Sequence, residues 1–473
     1  MFGGKYGRLR LLVCVLMLTM LLSGCMVMNS ADLLSPPRLH PDHAELLKLV
    51  NEETSGSNWA TTSPQAGTNR SPVQFIDLHQ DGIPEAIVFL ANPIDVQLQV
   101  VIYSKTGESK FKKLTSFPLK GGAFNRVEYA DLNNDGILEI IIGQSFGAES
   151  SYAGSVYTLV NDEPMVVLQD TPYTSLYVYD LNDDDRSELL LLNHDESGNN
   201  AYAELYGLNL GDDAMHFLGK APLSAGIRTP DRIIGGRLNA HIPTVIVDGF
   251  SSVAAGLVSD VLILSENGLE NISFTPIDNY SRTTFRSLEI NAMDVDFDGF
   301  LEIPVVVKMP QPQKVKVQSD SYIYWYAYDK SFSMALHCAT YPSQTDNWYL
   351  LYPDEWIGKV YTQTSESKGI RTTTFSMEYN GFQFELLSIY SYPTDQPLPA
   401  GENRSFLVLS QGRRFYASLP NEVKLGSLPE QYRISNIADV RKRFAIIDFN
   451  GDNKSLADLF PVLSYDDDDR NDR

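Results

Sequence analysis

The sequence predicts a mainly β fold: a β-propeller of about five recognisable four-stranded blades, followed by a small C-terminal α+β module. Three observations predict it. An acidic nine-residue loop pattern recurs at a period close to one blade. A short apolar run follows each copy. The spacers break into Val-, Ile- and Tyr-rich runs bounded by Gly, Asn, Asp and Pro. The copies start at residues 77, 131, 180, 236 and 294, which lie 54, 49, 56 and 58 residues apart. Repetition at such a period means an array of small units, none able to bury its own face alone.

At the N-terminus, residues 1–25 read as an export signal and stand outside the fold. Lys5, Arg8 and Arg10 give a positive start, and Leu11 to Leu22 form an apolar core too short to span a membrane comfortably. Leu22-Ser23-Gly24-Cys25 is a small-residue cleavage site ending in cysteine. That tetrapeptide resembles the bacterial lipobox, which implies that Cys25 is acylated (palmitate or a similar chain) and becomes the first mature residue. Acyl chains there anchor a protein to a membrane surface without spanning it, and place it on the extracytoplasmic face of a bacterial envelope. Of the three cysteines, Cys14 leaves with the signal, Cys25 takes lipid, and Cys338 is left without a partner, so no disulfide is expected. Residues 26–69 form a tether and lead-in, with a helix from Pro41 to Asn51 presenting Leu46, Leu47 and Val50 on one face.

The propeller spans residues 70–340. Its four full loops read Asp77-Leu-His79-Gln-Asp81-Gly82-Ile-Pro-Glu85, Asp131-Leu-Asn133-Asn-Asp135-Gly136-Ile-Leu-Glu139, Asp180-Leu-Asn182-Asp-Asp184-Asp185-Arg-Ser-Glu188 and Asp294-Val-Asp296-Phe-Asp298-Gly299-Phe-Leu-Glu302. Oxygens at positions 1, 3 and 5, a backbone carbonyl at 7 and a carboxylate at 9 can wrap a hard cation, and calcium takes six to eight such ligands without strict geometry. Glycine at position 6 allows the positive φ of the sharp turn. The candidate calcium ligands are Asp77, Asp81 and Glu85; Asp131, Asn133, Asp135 and Glu139; Asp180, Asn182, Asp184 and Glu188; and Asp294, Asp296, Asp298 and Glu302. The Asp294 loop is the richest set. His79 makes the first loop poorer by offering nitrogen where oxygen is preferred, and the third loop replaces glycine with Asp185, a residue that tolerates the left-handed region. The competing reading is a metal-free Asx turn between strands. A fifth copy, Gly236-Arg-Leu-Asn-Ala240-His241-Ile-Pro-Thr244, has lost its ligands and is expected to survive as a plain turn.

Apolar runs follow the loops at Ala86 to Leu90, Ile140 to Ile142, Leu189 to Leu192 and Ile303 to Val307. After the second loop, Ser155 to Val160, Met165 to Leu168 and Ser175 to Tyr179 complete a set of short strands before the next loop. With these residues the repeats resemble the FG-GAP (VCBS-type) repeats of integrin α-subunit propellers and of many bacterial surface proteins; the letters themselves occur once, as Phe146-Gly147-Ala148. The resemblance implies that the loops join the first and second strands of each blade and bind calcium to stiffen that turn. This chain departs from the pattern in carrying glutamate rather than aspartate at position 9, a longer arm that reshapes the site.

Residues 341–465 are expected to form an α+β or β-rich module, with strands at Asn347 to Val360, Thr372 to Tyr379, Glu385 to Tyr390, Ser405 to Ser410 and Arg414 to Leu419, and a helix capped by Asn436. The order resembles the C-terminal region of bacterial FG-GAP lipoproteins of unassigned function. Alternatively these strands add blades, since Asp448-Phe-Asn450-Gly-Asp452 mimics half a loop. Residues 466–473 are an acidic solvated tail.

The formal net charge is −23, and −26 once Lys5, Arg8 and Arg10 leave, which disfavours nucleic acid and anionic lipid as partners. Gly143-Gln-Ser145-Phe-Gly147 fits the nucleophile-elbow pattern, but an elbow needs a helix after its strand and here another strand follows. His40-Pro-Asp-His43 lacks a third zinc ligand. No catalytic residue is therefore assigned. Tyr322, Tyr324, Trp325, Tyr326 and Tyr328 alternate along one strand, either lining a loop surface or packing on the next blade. The functional expectation is a membrane-anchored lipoprotein with a calcium-stabilised propeller that binds or scaffolds a protein or glycan. The alternative is a secreted polysaccharide- or peptidoglycan-acting hydrolase, which two carboxylates converging away from the calcium loops would favour.

Overall fold

The computed structural model describes residues 41–107, 110–147, 152–194, 200–312, 321–396 and 404–446. The export signal with Cys25, the tether up to residue 40, the loop look-alike at 448–452 and the tail 466–473 lie outside the described residues. The short apolar runs, each bounded by turn residues, form hairpins that give six antiparallel sheets in chain order among the described residues. Sheet one opens on a split strand: Ala60–Thr61 and Val73–Ile76 both pair with Glu85–Asn92, and Gln97–Gly107 and Lys110–Lys120 follow. Sheet two holds Ala123–Ala130, Glu139–Ser145, Tyr152–Val160 and Glu163–Tyr173, and sheet three Ser175–Tyr179, Glu188–Asn193, Tyr202–Gly207 and His216–Pro222. Sheet four holds Arg232–Asn239, Ile242–Ser251, Gly256–Ser265 and Gly268–Asn271.

The continuous apolar runs have a simple cause. Successive side chains of a strand point to opposite faces, so a strand between two neighbours must be apolar on both. Ile140 and Ile142 pack against sheet one, while Ile141 between them packs with Leu189 and Leu191 of sheet three. Leu190 and Leu192 then meet Val245 and Val247 of sheet four, and Ile246 meets Ile303 of sheet five. Each such side chain contributes about 1.5–3 kcal/mol on burial. The sheets thus stack face to face in chain order, a β-propeller-like arrangement.

The remaining face of sheet one is covered by helix α1, Pro41–Thr54, one turn longer than its sequence suggests. Leu46 and Val50 are buried there against Val73, Val88, Val101 and Tyr103, and Lys105 pairs with Asp42 at 2.7 Å. Of residues 341–465, read from sequence as a separate module, the described part supplies the last strands of sheet five, the whole of sheet six and two short helices. Sheet five runs Ile303–Lys308, Ser321–Tyr328, Met334–Ser343 and Trp348–Leu351, and Phe444–Ile446 returns to pair with its edge. Sheet six holds Val360–Ser367, Ile370–Tyr379, Phe382–Pro393, Arg413–Ser418 and, at its edge, Ser405–Ser410. The boundary drawn at residue 340 therefore falls inside the strand Met334–Ser343. One core, including Tyr341, Trp348, Phe375, Ile389 and Phe415, joins the two sheets, and Leu428 and Val440 of the C-terminal segment close it. Asn347 to Val360 is not one strand, because Pro353 starts a 3-10 turn, Asp354–Trp356, that buries Trp356. Helix α2, Glu422–Leu425, precedes helix α3, Ile437–Arg443, which is capped as its sequence suggests, with Asn436 accepting from the Asp439 N–H at 2.9 Å.

Candidate functional site

The first three loops join the first and second strands of sheets one, two and three; the fourth leads into Ile303–Lys308, and the strand before it is reduced to the single bridge Met293–Glu302. All four share one backbone. The position-1 aspartate accepts the N–H groups of positions 5 and 6: Asp77 from Asp81 and Gly82 at 3.0 and 2.8 Å, and Asp131 from Asp135 and Gly136 at 3.2 and 2.9 Å. Asp180 accepts from Asp184 and Asp185 at 3.3 and 3.0 Å, and Asp294 from Asp298 and Gly299 at 3.1 and 2.9 Å. Position 6 has positive φ in each, and Asp185 at 64° takes the conformation that glycine holds in the other three.

Position 2 is apolar and buried, and its N–H is captured by the glutamate of position 9. Leu78, Leu132, Leu181 and Val295 donate to Oε2 of Glu85, Glu139, Glu188 and Glu302 at 2.9, 2.6, 2.8 and 3.0 Å. The longer arm of glutamate reaches back beneath the loop, which buries its carboxyl group. Burial, with the loop's other carboxylates adding, pushes Glu139 and Glu188 up to about 7 and Glu302 up to about 9. Oε1 of Glu139, Oε1 of Glu302 and Oδ1 of Asp296 are buried without a hydrogen-bond partner. A buried, unpaired carboxylate oxygen is costly, and a cation or a proton relieves it. These donor sets therefore fit a metal ion.

The structure gathers the four sets unequally. In loop three the ligand atoms of Asp180, Asp184 and Glu188 lie within 4.8 Å of one another, and in loop four those of Asp296, Asp298 and Glu302 do so together with His337. Asp294, the first residue of the richest set, is not in that group, and it accepts the N–H groups of the turn as Asp180 does in loop three. The acids of the first two loops do not meet that closely. In loop two Asn133 lies within, with Oδ1 accepting from the Asp135 N–H at 2.9 Å. In loop one His79 sits 3.2 Å by Nδ1 from Glu85 Oε1 and 3.1 Å by Nε2 from Asp162 Oδ1 of sheet two. Sequence reasoning missed His337, which stands on Met334–Ser343 and reaches loop four only through strand pairing.

The degenerate fifth copy is a tight turn between Asn239 and Ile242, closed by the His241 N–H on Asn239 Oδ1 at 3.0 Å. The elbow-like Gly143 and Ser145 lie in strand Glu139–Ser145, flat against Ala123–Ala130 and Tyr152–Val160. Tyr322, Trp325 and Tyr328 are buried in sheet five, with Tyr324 and Tyr326 half-buried, so core packing explains that stripe. Cys338 is buried and unpaired. Among the described residues no helix is long and apolar enough to cross a membrane.

No protein-family model and no curated protein matches this chain. Among solved structures it is similar to a structural-genomics protein from Lactobacillus plantarum at 10% identity, covering 68% of this chain and 86% of that one, with a TM-score of 0.26. It is also similar to Sqt1 of Saccharomyces cerevisiae at 7% identity, covering 76% and 100% with a TM-score of 0.29. A mannose phosphorylase from Leishmania mexicana is similar at 14% identity, covering 70% and 89% with a TM-score of 0.21. Likenesses this slight say nothing of activity.

Proposed function

We propose that this chain is a lipid-anchored extracytoplasmic protein whose propeller-like body is stiffened by calcium at its inter-strand loops and binds or scaffolds a protein or glycan outside a bacterial membrane. The observation that carries the calcium reading is the shared loop frame with its buried ninth-position carboxyl, supported by the unpartnered Glu139 oxygen and the close Asp180, Asp184 and Glu188 set. Asp131, Asn133, Asp135 and Glu139 supply one oxygen-only set and Asp180, Asn182, Asp184 and Glu188 another. Calcium there contributes positive charge where burial has gathered negative charge, and ties the first two strands of a sheet at their corner. The loop at Asp77 is the weakest member, because His79 already occupies its third position. The anchor reading rests on Leu22-Ser23-Gly24-Cys25 behind a basic, then apolar, leader.

Thermal melting with and without calcium tests the first part. Calcium is expected to raise the melting temperature of the chelator-stripped protein, with Asp131→Ala and Asp180→Ala each removing part of that rise. An identical melt in chelator and in millimolar calcium refutes it. Metabolic labelling with a fatty acid tests the second part: label on the wild type that vanishes in Cys25→Ala supports the anchor, and an unlabelled wild type refutes it.

A further inference from the structure

Among the described residues, loops one to three bring no imidazole into a cluster of three acids. In loop one both ring nitrogens of His79 face carboxylates on opposite sides, Glu85 and Asp162. In loop three the Asn182 amide donates to Glu188 Oε1 at 2.7 Å, and Arg186 covers Asp184. Loop two offers oxygen only. Loop four differs because Met334–Ser343 carries a β-bulge beside it: Trp325 pairs with Cys338 and Tyr326 with Leu336, leaving His337 as the extra residue. A bulge re-aims the side chain of its extra residue. His337 Nε2 consequently stands 2.9 Å from Asp296 Oδ2 and 3.7 Å from Asp298 Oδ2, with its side chain reachable from solvent.

The deep side of the cluster is Glu302, which is 0% exposed. Its Oε2 accepts from the Val295 N–H at 3.0 Å, whereas Oε1 has no partner, and neither does Asp296 Oδ1. The ligand atoms of Asp296, Asp298, Glu302 and His337 all fall within 4.8 Å of one another. The geometry points to loop four as a mixed nitrogen–oxygen site for a zinc-class transition dication, with His337 Nε2, Asp296, Asp298 and Glu302 as ligands, and not as a fourth calcium site. Imidazole is a good ligand for zinc and its neighbours and a poor one for calcium, which takes oxygen. Tetrahedral bonds of about 2.0–2.2 Å put ligand atoms roughly 3.4 Å apart, a value that the 2.9 and 3.7 Å separations from His337 bracket.

This inference rests on the loops being cation sites, as proposed above. The test is calorimetry on the full chain, solubilised and stripped by chelator, titrated separately with zinc and with calcium, for wild type and His337→Gln. Zinc is expected to bind one site at least tenfold more weakly in His337→Gln, with the calcium isotherm unchanged. Copper(II) electron paramagnetic resonance on the wild type provides a reading that does not depend on how the variant folds: hyperfine splitting from one imidazole nitrogen is expected, displaced by zinc and not by calcium. Equal zinc affinity in both proteins, or copper without nitrogen splitting, overturns the inference and leaves the calcium reading standing. Loss of calcium binding together with zinc in His337→Gln also overturns it, by making loop four a calcium site. Absence of any cation binding overturns both.

Discussion

Sheet four has lost its acidic loop, and the structure fastens it by other means, so Arg286→Met is expected to be among the most damaging single changes in the chain. Arg286 lies on the connector between sheets four and five, bridged through its backbone to Leu257. Its fully buried guanidinium donates to Asp248 Oδ1 at 2.7 Å, Ser259 Oγ at 2.9 Å and the Thr284 carbonyl at 3.0 Å, and its Nε to the Ile290 carbonyl. Asp248, also fully buried, holds the connector a second time by accepting the Ala292 N–H at 2.8 Å. Methionine fills much of the volume but leaves the buried Asp248 carboxylate without the guanidinium that hydrogen-bonds it, with Arg232 of the paired strand as the remaining nearby charge, which costs about 3–5 kcal/mol. The double variant Asp248→Asn, Arg286→Met removes that charge and keeps an acceptor for Ala292, so it is expected to recover more than about 1 kcal/mol of the loss. Urea unfolding followed by tryptophan fluorescence reads both numbers. Because the pair lies apart from the three loops read as calcium sites, the shift is expected to be the same with and without calcium. A loss below about 1 kcal/mol for Arg286→Met, or a double variant no more stable than the single, refutes the reasoning.

Gly143→Ala is expected to destabilise sheet two, because a Cβ there falls 1.7 Å from the Tyr173 hydroxyl, which must then give up Asn125 Oδ1 at 2.7 Å; Tyr173→Phe in the same chain is expected to restore part of the loss in urea unfolding. Glu139 and Glu188, raised by burial from 4.5 to about 7, contribute stability that is full below about pH 4.5 and lost as pH rises through about 7 in the cation-free protein. Calcium forces both to ionise, so calorimetry in buffers of different ionisation heat is expected to show about two protons released at pH 6 and close to none at pH 8; none at pH 6 refutes it. Leu46→Ala is expected to cost about 2–5 kcal/mol locally, read as faster amide exchange across Pro41–Thr54 with the sheet-two strands unchanged.

The fold was legible because the sequence carries its period twice, in the acidic loops and in runs such as Leu189 to Leu192 that only a strand buried on both faces requires. The helix face of Leu46 and Val50 and the cap at Asn436 were legible for the same reason: their patterns are local. What escaped was set by pairing between distant segments. The return of Phe444–Ile446 to sheet five has no signal in its own three residues, and sheet six carries no acidic loop to mark it as another repeat. His337 stands 35 residues beyond Glu302, and only the bulge opposite Trp325 and Tyr326 brings it to the loop.

The ninth position of the repeat explains why some sheets carry an acidic loop and sheet four does not. In sheets one to three it opens the second strand, and its Oε2 must satisfy the buried N–H of position 2, so the carboxyl group is carried to the buried side of the loop. A carboxyl group in that place needs a partner for its charge. In sheet one His79 supplies it from within the loop; in the second, third and fourth loops a bound cation or a retained proton has to. Sheet four has Thr244 at the ninth position, equally buried, with its hydroxyl donating to the Leu262 carbonyl at 2.8 Å. A neutral group there creates no charge to balance, the acids at positions 1, 3 and 5 lose their purpose, and Gly236, Leu238 and Ala240 occupy them. The acids of a loop thus stand or fall with the buried ninth-position carboxyl, and the fastening of sheet four passes to Asp248 and Arg286, where the counter-charge is built into the chain.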